Sequence, residues 1–406
     1  MLDLLIKRGL LLTLKGKKRR GFNIDLGIQD DCDIAIKDGT ILKIGKNIEE
    51  ESRFRIDARG RVVIPGFIDA HTHTLFGGAR LDEFEMKIRG LSYEEIKHRG
   101  GGIINTVEKT RALSEEEMVD ILRKNLKKMS RTGTTTAEVK SGYGLNYETE
   151  MNMLRAMKDF TEDWIDIVPT YMGAHEFPEE KTRKEYIDEI TTRHLPEVAS
   201  ESLADFCDVF CEDGVYGKKE ARRILSKAKE LNLNLKIHAD ELKESGGAEL
   251  AGELGVTSAE HLIHPSKKGI KLMKDSGVIA VLLPTASFIL SEGIPPIEEF
   301  RKNGIPMALG SDFNPGSSPV SSMSLVIGFA CYHYGMTVEE AIAGATINAA
   351  YALKRENRIG SIEEGKEADL LVLKYRDYRE IPYWLGNNPV KICIKCGRVS
   401  FEREND

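Results

Sequence analysis

Asp69-Ala70-His71-Thr72-His73 sets two imidazoles two residues apart in a stretch that reads as β-strand. Side chains at i and i+2 leave the same face of a strand, so His71 and His73 emerge together. Imidazole is the commonest transition-metal ligand, and a rigid pair is half of a metal site. The alternative is two unrelated surface or core histidines. What decides between them is whether further ligands stand at equivalent places downstream.

The chain has 9 histidines, and five of them end segments that read as strands. His71 and His73 end the first, His175 the third, His238 the fifth and His261 the sixth. Asp312 closes the eighth, in Ala308-Leu309-Gly310-Ser311-Asp312. This grouping favours a metal centre over five independent core histidines. His98, His194 and His333 fall in helices or loops and read as packing or surface residues. His264, on an extended strand, faces away from His261. Three imidazoles and one carboxylate suit a single borderline divalent ion, Zn²⁺ or Fe²⁺, with water completing the shell. Such an ion lowers the pKa of bound water to about 7.

The elements that position these residues follow from periodicity. Candidate strands are 62–73, 134–140, 166–174, 205–211, 233–239, 257–264, 278–285 and 306–312. Most are separated by amphipathic helical stretches. Met118, Ile121, Leu122, Leu126 and Met129 mark one over 115–130, with Gly133 as its stop, and Ile224, Leu225, Ala228 and Leu231 mark another over 218–232. Eight strands alternating with helices predict a (β/α)₈ TIM-like barrel of the α/β class, whose catalytic groups sit at the C-terminal strand ends. Before it, Asp33-Ile34-Ala35-Ile36-Lys37 and Thr40-Ile41-Leu42-Lys43-Ile44 flank Asp38-Gly39 as a hairpin. The C-terminal runs at 368–373 and 390–399 are also β-rich. The expected domains are a barrel over 64–360 and a small β-sandwich domain built from 1–63 and 361–406.

Composition excludes several classes. The 406 residues are 41% hydrophobic and 30% charged with a net charge of −7, which gives no electrostatic case for nucleic acid. Lys7 and Arg8 interrupt the apolar N-terminal runs, so neither a transmembrane helix nor a signal peptide is expected. The basic run Lys17-Lys18-Arg19-Arg20 reads as a solvated turn between short strands. Six scattered cysteines form no disulfide framework and point to a reducing cytoplasm. Cys393 and Cys396 lie on opposite faces of a strand-like run and read as structural.

Taken together, these motifs resemble the metal-dependent amidohydrolase superfamily over most of the chain. The resemblance rests on Pro65-Gly66-Phe67-Ile68-Asp69-Ala70-His71-Thr72-His73, the later histidines, Asp312, and the tail from Gly360-Ser361-Ile362 to Glu367-Ala368-Asp369-Leu370. A sharper layer resembles the branch that opens an imidazolone ring. It consists of Phe76-Gly77-Gly78-Ala79-Arg80, Gly100-Gly101-Gly102-Ile103, Lys140-Ser141-Gly142-Tyr143-Gly144-Leu145, Gly173-Ala174-His175, Gly246-Gly247-Ala248-Glu249-Leu250 and Asn314-Pro315-Gly316-Ser317-Ser318-Pro319.

The resemblance implies one metal held by His71, His73, His238 and Asp312, with Lys140 not serving as a carbamylated bridge. It also implies a homodimer and hydrolysis of 4-imidazolone-5-propanoate to N-formimidoyl-L-glutamate in histidine degradation. Residue chemistry agrees. Arg80 suits a propanoate carboxylate, and otherwise a surface pair with Glu83 or Asp82. Tyr143 adds a hydroxyl, while Asn314, Gly316 and Ser317 form a polar loop for the amino-acid-like end. Glu241 and Asp312 are the candidate general bases, and His175 and His261 the groups at the substrate carbonyl. Ser317 stands where threonine is common and Glu260 where aspartate often precedes the histidine, and the stretch around Leu283-Pro284-Thr285 departs further. Two other readings remain: a nucleobase-type deaminase using the same metal set, and a non-enzymatic scaffold on the same barrel.

Overall fold

A computed structural model of the chain describes residues 1–91, 95, 100–291 and 293–403. Its first strand, β1 (Leu2–Leu12), is long enough to pair with three others. It runs antiparallel to β2 (Ile28–Lys37), and β2 returns as β3 (Thr40–Gly45). Asp38 and Gly39 join them with φ of 50° and 76°, the double positive φ that a tight two-residue hairpin needs. The first half of β1 pairs in parallel with β4 (Ser52–Asp57), and its end pairs in parallel with β5 (Val62–Pro65).

The barrel follows: β6 (Phe67–Asp69), β7 (Thr134–Lys140), β8 (Asp166–Ala174), β9 (Phe206–Cys211), β10 (Asn234–Ala239), β11 (Ser258–His261), β12 (Ile279–Leu282) and β13 (Met307–Leu309). Each pairs in parallel with the next. The ring closes between its first and last strands through backbone bonds from Ala70 N–H to Leu309 O (3.3 Å), Asp312 N–H to His71 O (2.9 Å) and His73 N–H to Phe313 O (3.1 Å). The seam of the barrel is therefore where three of the expected metal ligands meet.

The C-terminal strands complete the small sheet. β14 (Leu370–Leu373) lies antiparallel between β5 and β15 (Val390–Lys395), and β16 (Arg398–Glu402) forms the edge. Leu4, Ile34, Ile36, Val63, Leu370, Val372 and Ile394 meet in one buried cluster, so the sheet folds over its own core as a sandwich built from both chain ends.

Three local expectations change. The 62–73 run is two strands, because Gly66 divides it. Its N–H bonds Asp369 O at 2.8 Å, and any Cβ there would enter the Thr135 side chain. The chain thus leaves the sandwich at β5 and enters the barrel at β6. The basic run 17–20 lies in an irregular excursion rather than a solvated turn. Lys18 Nζ donates to Gly277 O (3.3 Å) and Arg19 N–H to Asn348 Oδ1 (2.7 Å), which ties the excursion to the barrel's N-terminal side. Finally, β11 stops at His261, because His261 and Leu262 take φ of 66° and 55°. His264 therefore lies beyond the strand.

The helix Glu115–Ser130 forms as its pattern predicts, capped by a reciprocal Ser114–Glu117 box, and the second forms as Lys218–Glu230. The cysteines are all unpaired, with Cys393 on β15 and Cys396 just past it. Among the described residues, no helix is long and apolar enough to cross a membrane.

Candidate metal centre

The C-terminal strand ends bring the expected residues onto one rim. His71 and His73 follow β6 with their Nε2 atoms 3.3 Å apart. Asp312 follows β13, and its Oδ1 lies 3.5 Å from His71 Nε2 and 3.6 Å from His73 Nε2. His238, on β10, sets its ring 4.6 Å from that of His71 and 5.2 Å from that of His261. Two triads result, His71–His73–Asp312 and His71–His238–His261, each compact enough to close around an ion. Because they share His71, they form one centre with five candidate donors. The four ligands expected from sequence are among them, and His261 is a fifth.

These residues fit a divalent cation. His238 Nε2 is buried with no hydrogen-bond partner. Burial and neighbouring imidazoles hold His73 and His261 well below the ordinary histidine range, so both rings are neutral and keep a lone pair to give. His238 is lowered by the same burial. His71 behaves differently: burial and Lys140 lower it, but Glu260 and Asp312 outweigh them and raise it to about 9. A positive charge is thus favoured between those two carboxylates. Glu138, Asp208, Glu260 and Asp312 are buried around two buried ammonium groups, Lys140 and Lys236. This excess of carboxylates favours a cation at the rim. Asp69 is buried with them, and burial pushes its carboxyl up only to about 6, which leaves it mostly ionised at neutral pH.

Around the donors, two loops are fixed from behind. Glu150 accepts the N–H groups of Gly142 (3.0 Å), Gly144 (2.8 Å) and Leu145 (3.0 Å), which locks the turn carrying Tyr143. The Tyr143 ring sits 5.8 Å from His73 and 5.5 Å from His175. His175 stacks on His73 at 4.9 Å, and its Nδ1 is 3.1 Å from Gly142 O. A carbonyl only accepts, so Nδ1 carries the proton and Nε2 keeps its lone pair.

In the second loop, Asn314 Nδ2 donates to Asp312 O and Ser317 Oγ, both at 2.7 Å, while its Oδ1 accepts from the N–H groups of Gly316 and Ser317, both at 2.8 Å. Ser317 Oγ then donates to Asp312 Oδ2 at 2.9 Å. Asn314 and Ser317 therefore brace Asp312 and are already engaged within the loop. Gly316 admits Arg80, whose Nη1 would lie 2.5 Å from a Cβ at that position. Arg80 Nε donates to Thr106 Oγ1 (2.7 Å), and its Nη1 is 3.8 Å from Glu83 Oε2, too far for a hydrogen bond. The guanidinium is thus oriented but not consumed by Glu83. Glu241 Oε1 lies 3.2 Å from His261 Nδ1.

Sequence reasoning missed the layer beneath the rim. Glu260 Oε2 is hydrogen-bonded to His71 Nδ1, and Asp208 Oδ2 lies 3.0 Å from His238 Nδ1. Lys140 Nζ sits 2.7 Å from Asp208 and 2.9 Å from Glu138, while Lys236 Nζ lies 3.1 Å from both Glu138 and Glu260. The i, i+2 spacings Glu138/Lys140 and Lys236/His238 carried the available signal, since each pair shares the barrel's inner face. Two of the other histidines stay outside the centre: His194 is buried against Tyr171 Oη (2.8 Å), and the His333 ring packs 5.6 Å from that of Phe288. His98 lies outside the described residues.

The model of the "Amidohydrolase family" matches residues 62–399. An imidazolonepropionase of Clostridium tetani is 45% identical over 398 residues, covering 96% of this chain and 95% of that protein. One from Symbiobacterium thermophilum is 44% identical over 411 residues, covering 98% and 96%. Among solved structures, E. coli guanine deaminase superposes with a TM-score of 0.76 at 16% identity, covering 100% of each chain. The zinc-containing adenosine deaminase from Xanthomonas campestris gives 0.73 at 18%, covering 99% of this chain and 93% of that one. At such identities these two show the fold alone. Members of the amidohydrolase family use a divalent metal, in keeping with the donor clusters at this rim. The chain belongs to the amidohydrolase family and, within it, to the imidazolonepropionase family.

Proposed function

We propose that the protein hydrolyses the ring amide C–N bond of 4-imidazolone-5-propanoate, giving N-formimidoyl-L-glutamate, with one Zn²⁺ or Fe²⁺ held by His71, His73, His238 and Asp312. The observation that carries this reading is an oriented Arg80 guanidinium packed against the loop that braces a metal-ligand candidate. A propanoate tail needs such a cation and a neutral nucleobase does not. The relatives' shared name supports the same substrate. When bound, the ion supplies a Lewis acid and lowers the pKa of water.

The chain's own residues do the rest. Arg80 grips the carboxylate and Tyr143 offers its hydroxyl, which burial keeps protonated. Neutral His175 accepts from a ring N–H, because its own proton is directed to Gly142 O. That revises its expected role as a donor to the substrate carbonyl. The Glu241–His261 pair takes the proton of the attacking water, with Glu241 holding the His261 ring through Nδ1. The pair returns that proton to the departing ring nitrogen by way of the Asp312 carboxylate, which Ser317 fixes. In this reading the barrel over 64–360 is the catalytic unit, supported by 1–63 and 361–406. It works as a homodimer in a reducing cytoplasm, consistent with six unpaired cysteines.

Product analysis tests the substrate. Ring opening of imidazolone propanoate, with no ammonia from guanine, cytosine or adenosine, is expected. Ammonia from a nucleobase without ring opening would replace this reading by the deaminase one.

A further inference from the structure

Beneath the rim lies a cluster that the reaction above does not use. Lys140 and Lys236 are fully buried, as are Glu138, Asp208 and Glu260. Lys236 Nζ is held at three points: Ala70 O, Glu138 Oε2 and Glu260 Oε1, each at 3.1 Å. Ala70 adjoins His71, so this one ammonium grips both the backbone of the first ligand strand and the carboxylate that meets the His71 ring. Ser258 Oγ donates to the same Glu260 Oε1 at 2.9 Å. The other oxygen, Oε2, meets His71 Nδ1 and lies 3.4 Å from Lys140 Nζ. Lys140 stands behind a second ligand, His238. Its Nζ donates to Asp208 Oδ2 at 2.7 Å, and that oxygen lies 3.0 Å from His238 Nδ1. Glu138 Oε2 joins the two lysines, at 2.9 Å from Lys140 and 3.1 Å from Lys236.

We propose that Lys140 and Lys236 are positioning residues. They brace Glu260 and Asp208 so that the neighbouring rings of His71 and His238 present their Nε2 atoms to one ion. The inference rests on the single-metal reading above. A buried ion pair offers little net stability against an apolar replacement, so two lysines in a barrel interior call for another role. Orienting ligand imidazoles is such a role, and loss of an outer partner of this kind weakens metal binding by about 10- to 100-fold.

The test uses the full chain with Lys140→Met, Lys236→Met and the charge-balanced pair Lys236→Met/Glu138→Gln. Zn²⁺ affinity is read by chelator competition, and ligand geometry by the visible absorption of the Co²⁺-loaded protein. Each single variant is expected to bind Zn²⁺ at least 10-fold more weakly, with an altered Co²⁺ spectrum. The pair is expected to remain as weak, because it restores charge balance and not the brace. Native affinity in the single variants, or its recovery in the pair, would overturn the proposal. Should the lysine variants fail to fold, Ser258→Ala removes one anchor of Glu260 without burying a charge. It is expected to weaken Zn²⁺ a few-fold and shift the Co²⁺ bands, and unchanged values would overturn the proposal. If the native protein itself binds no stoichiometric ion, the single-metal reading fails first, which separates the two claims.

Discussion

Arg80 earns its place through a neighbour that has no side chain. Gly316 lets the guanidinium pass, and a Cβ there would meet Nη1 at 2.5 Å and Cζ at 3.0 Å. Gly316→Ala therefore displaces a flexible side-chain end, with little effect on folding and a direct effect on substrate binding. We expect KM for the imidazolone to rise several-fold with kcat nearly unchanged, and thermal unfolding close to native. Arg80→Met removes a charged hydrogen-bonding partner worth about 1.5–3 kcal/mol, so KM should rise about 10- to 100-fold. A substrate analogue lacking the carboxylate should not distinguish that variant from native. Glu241 is separable from the ligand set, because its contact is with His261 Nδ1 at 3.2 Å. Glu241→Gln should lose about 100-fold in kcat with metal content intact, in the range typical of a general base. Full turnover would remove Glu241 from the mechanism.

At the scale of elements, the site depends on a seam between the first and last barrel strands. Gly310 lies in that seam, where a Cβ would come within 2.7 Å of His71 Cβ and 2.9 Å of Leu283 Cδ2. Gly310→Ala should force His71 away from Asp312, costing about 1–3 kcal/mol in stability and lowering metal occupancy together. Denaturant midpoints and metal analysis of the same preparation check both. The strands themselves were largely legible, since 134–140 and 166–174 coincide with β7 and β8. Parallel barrel strands are buried on both faces and favour β-branched residues, which in β7 are three threonines and Val139 rather than an apolar run. The division at Gly66 was hidden because the apolar run continues through it, and only the Asp369 backbone and Thr135 side chain reveal the break. Asn314 and Ser317 were recognisable as site residues by type, but their internal bonding to Asp312 depends on a loop conformation that spacing does not determine. Lys140 and Lys236 were harder still. A lysine on an alternating strand reads as solvent-facing until the ring closes and its inner face acquires carboxylates from distant strands.

For the molecule as a whole, the arrangement predicts strong linkage between metal and folding. Glu138, Asp208, Glu260 and Asp312 outnumber the ammonium groups of Lys140 and Lys236 beside them, so the ion offsets negative charge in the barrel interior. Removing it with a chelator should lower thermal stability, and restoring it at a thousandfold excess over Kd should return about 4 kcal/mol. Equal melting temperatures with and without chelator would show that the interior balances its charge without an ion. The sandwich should melt with the barrel, because β5 passes directly into β6 and Gly66 N–H bonds Asp369 O at 2.8 Å.

The central claim is that a single ion at this rim supports opening of an imidazolone ring. It is tested most directly by titrating metal-stripped protein with Zn²⁺ while following the ultraviolet absorbance of 4-imidazolone-5-propanoate. The account predicts no turnover without metal and a linear rise that levels off at one equivalent per chain. Full turnover by the stripped protein, or none at any loading, would contradict it.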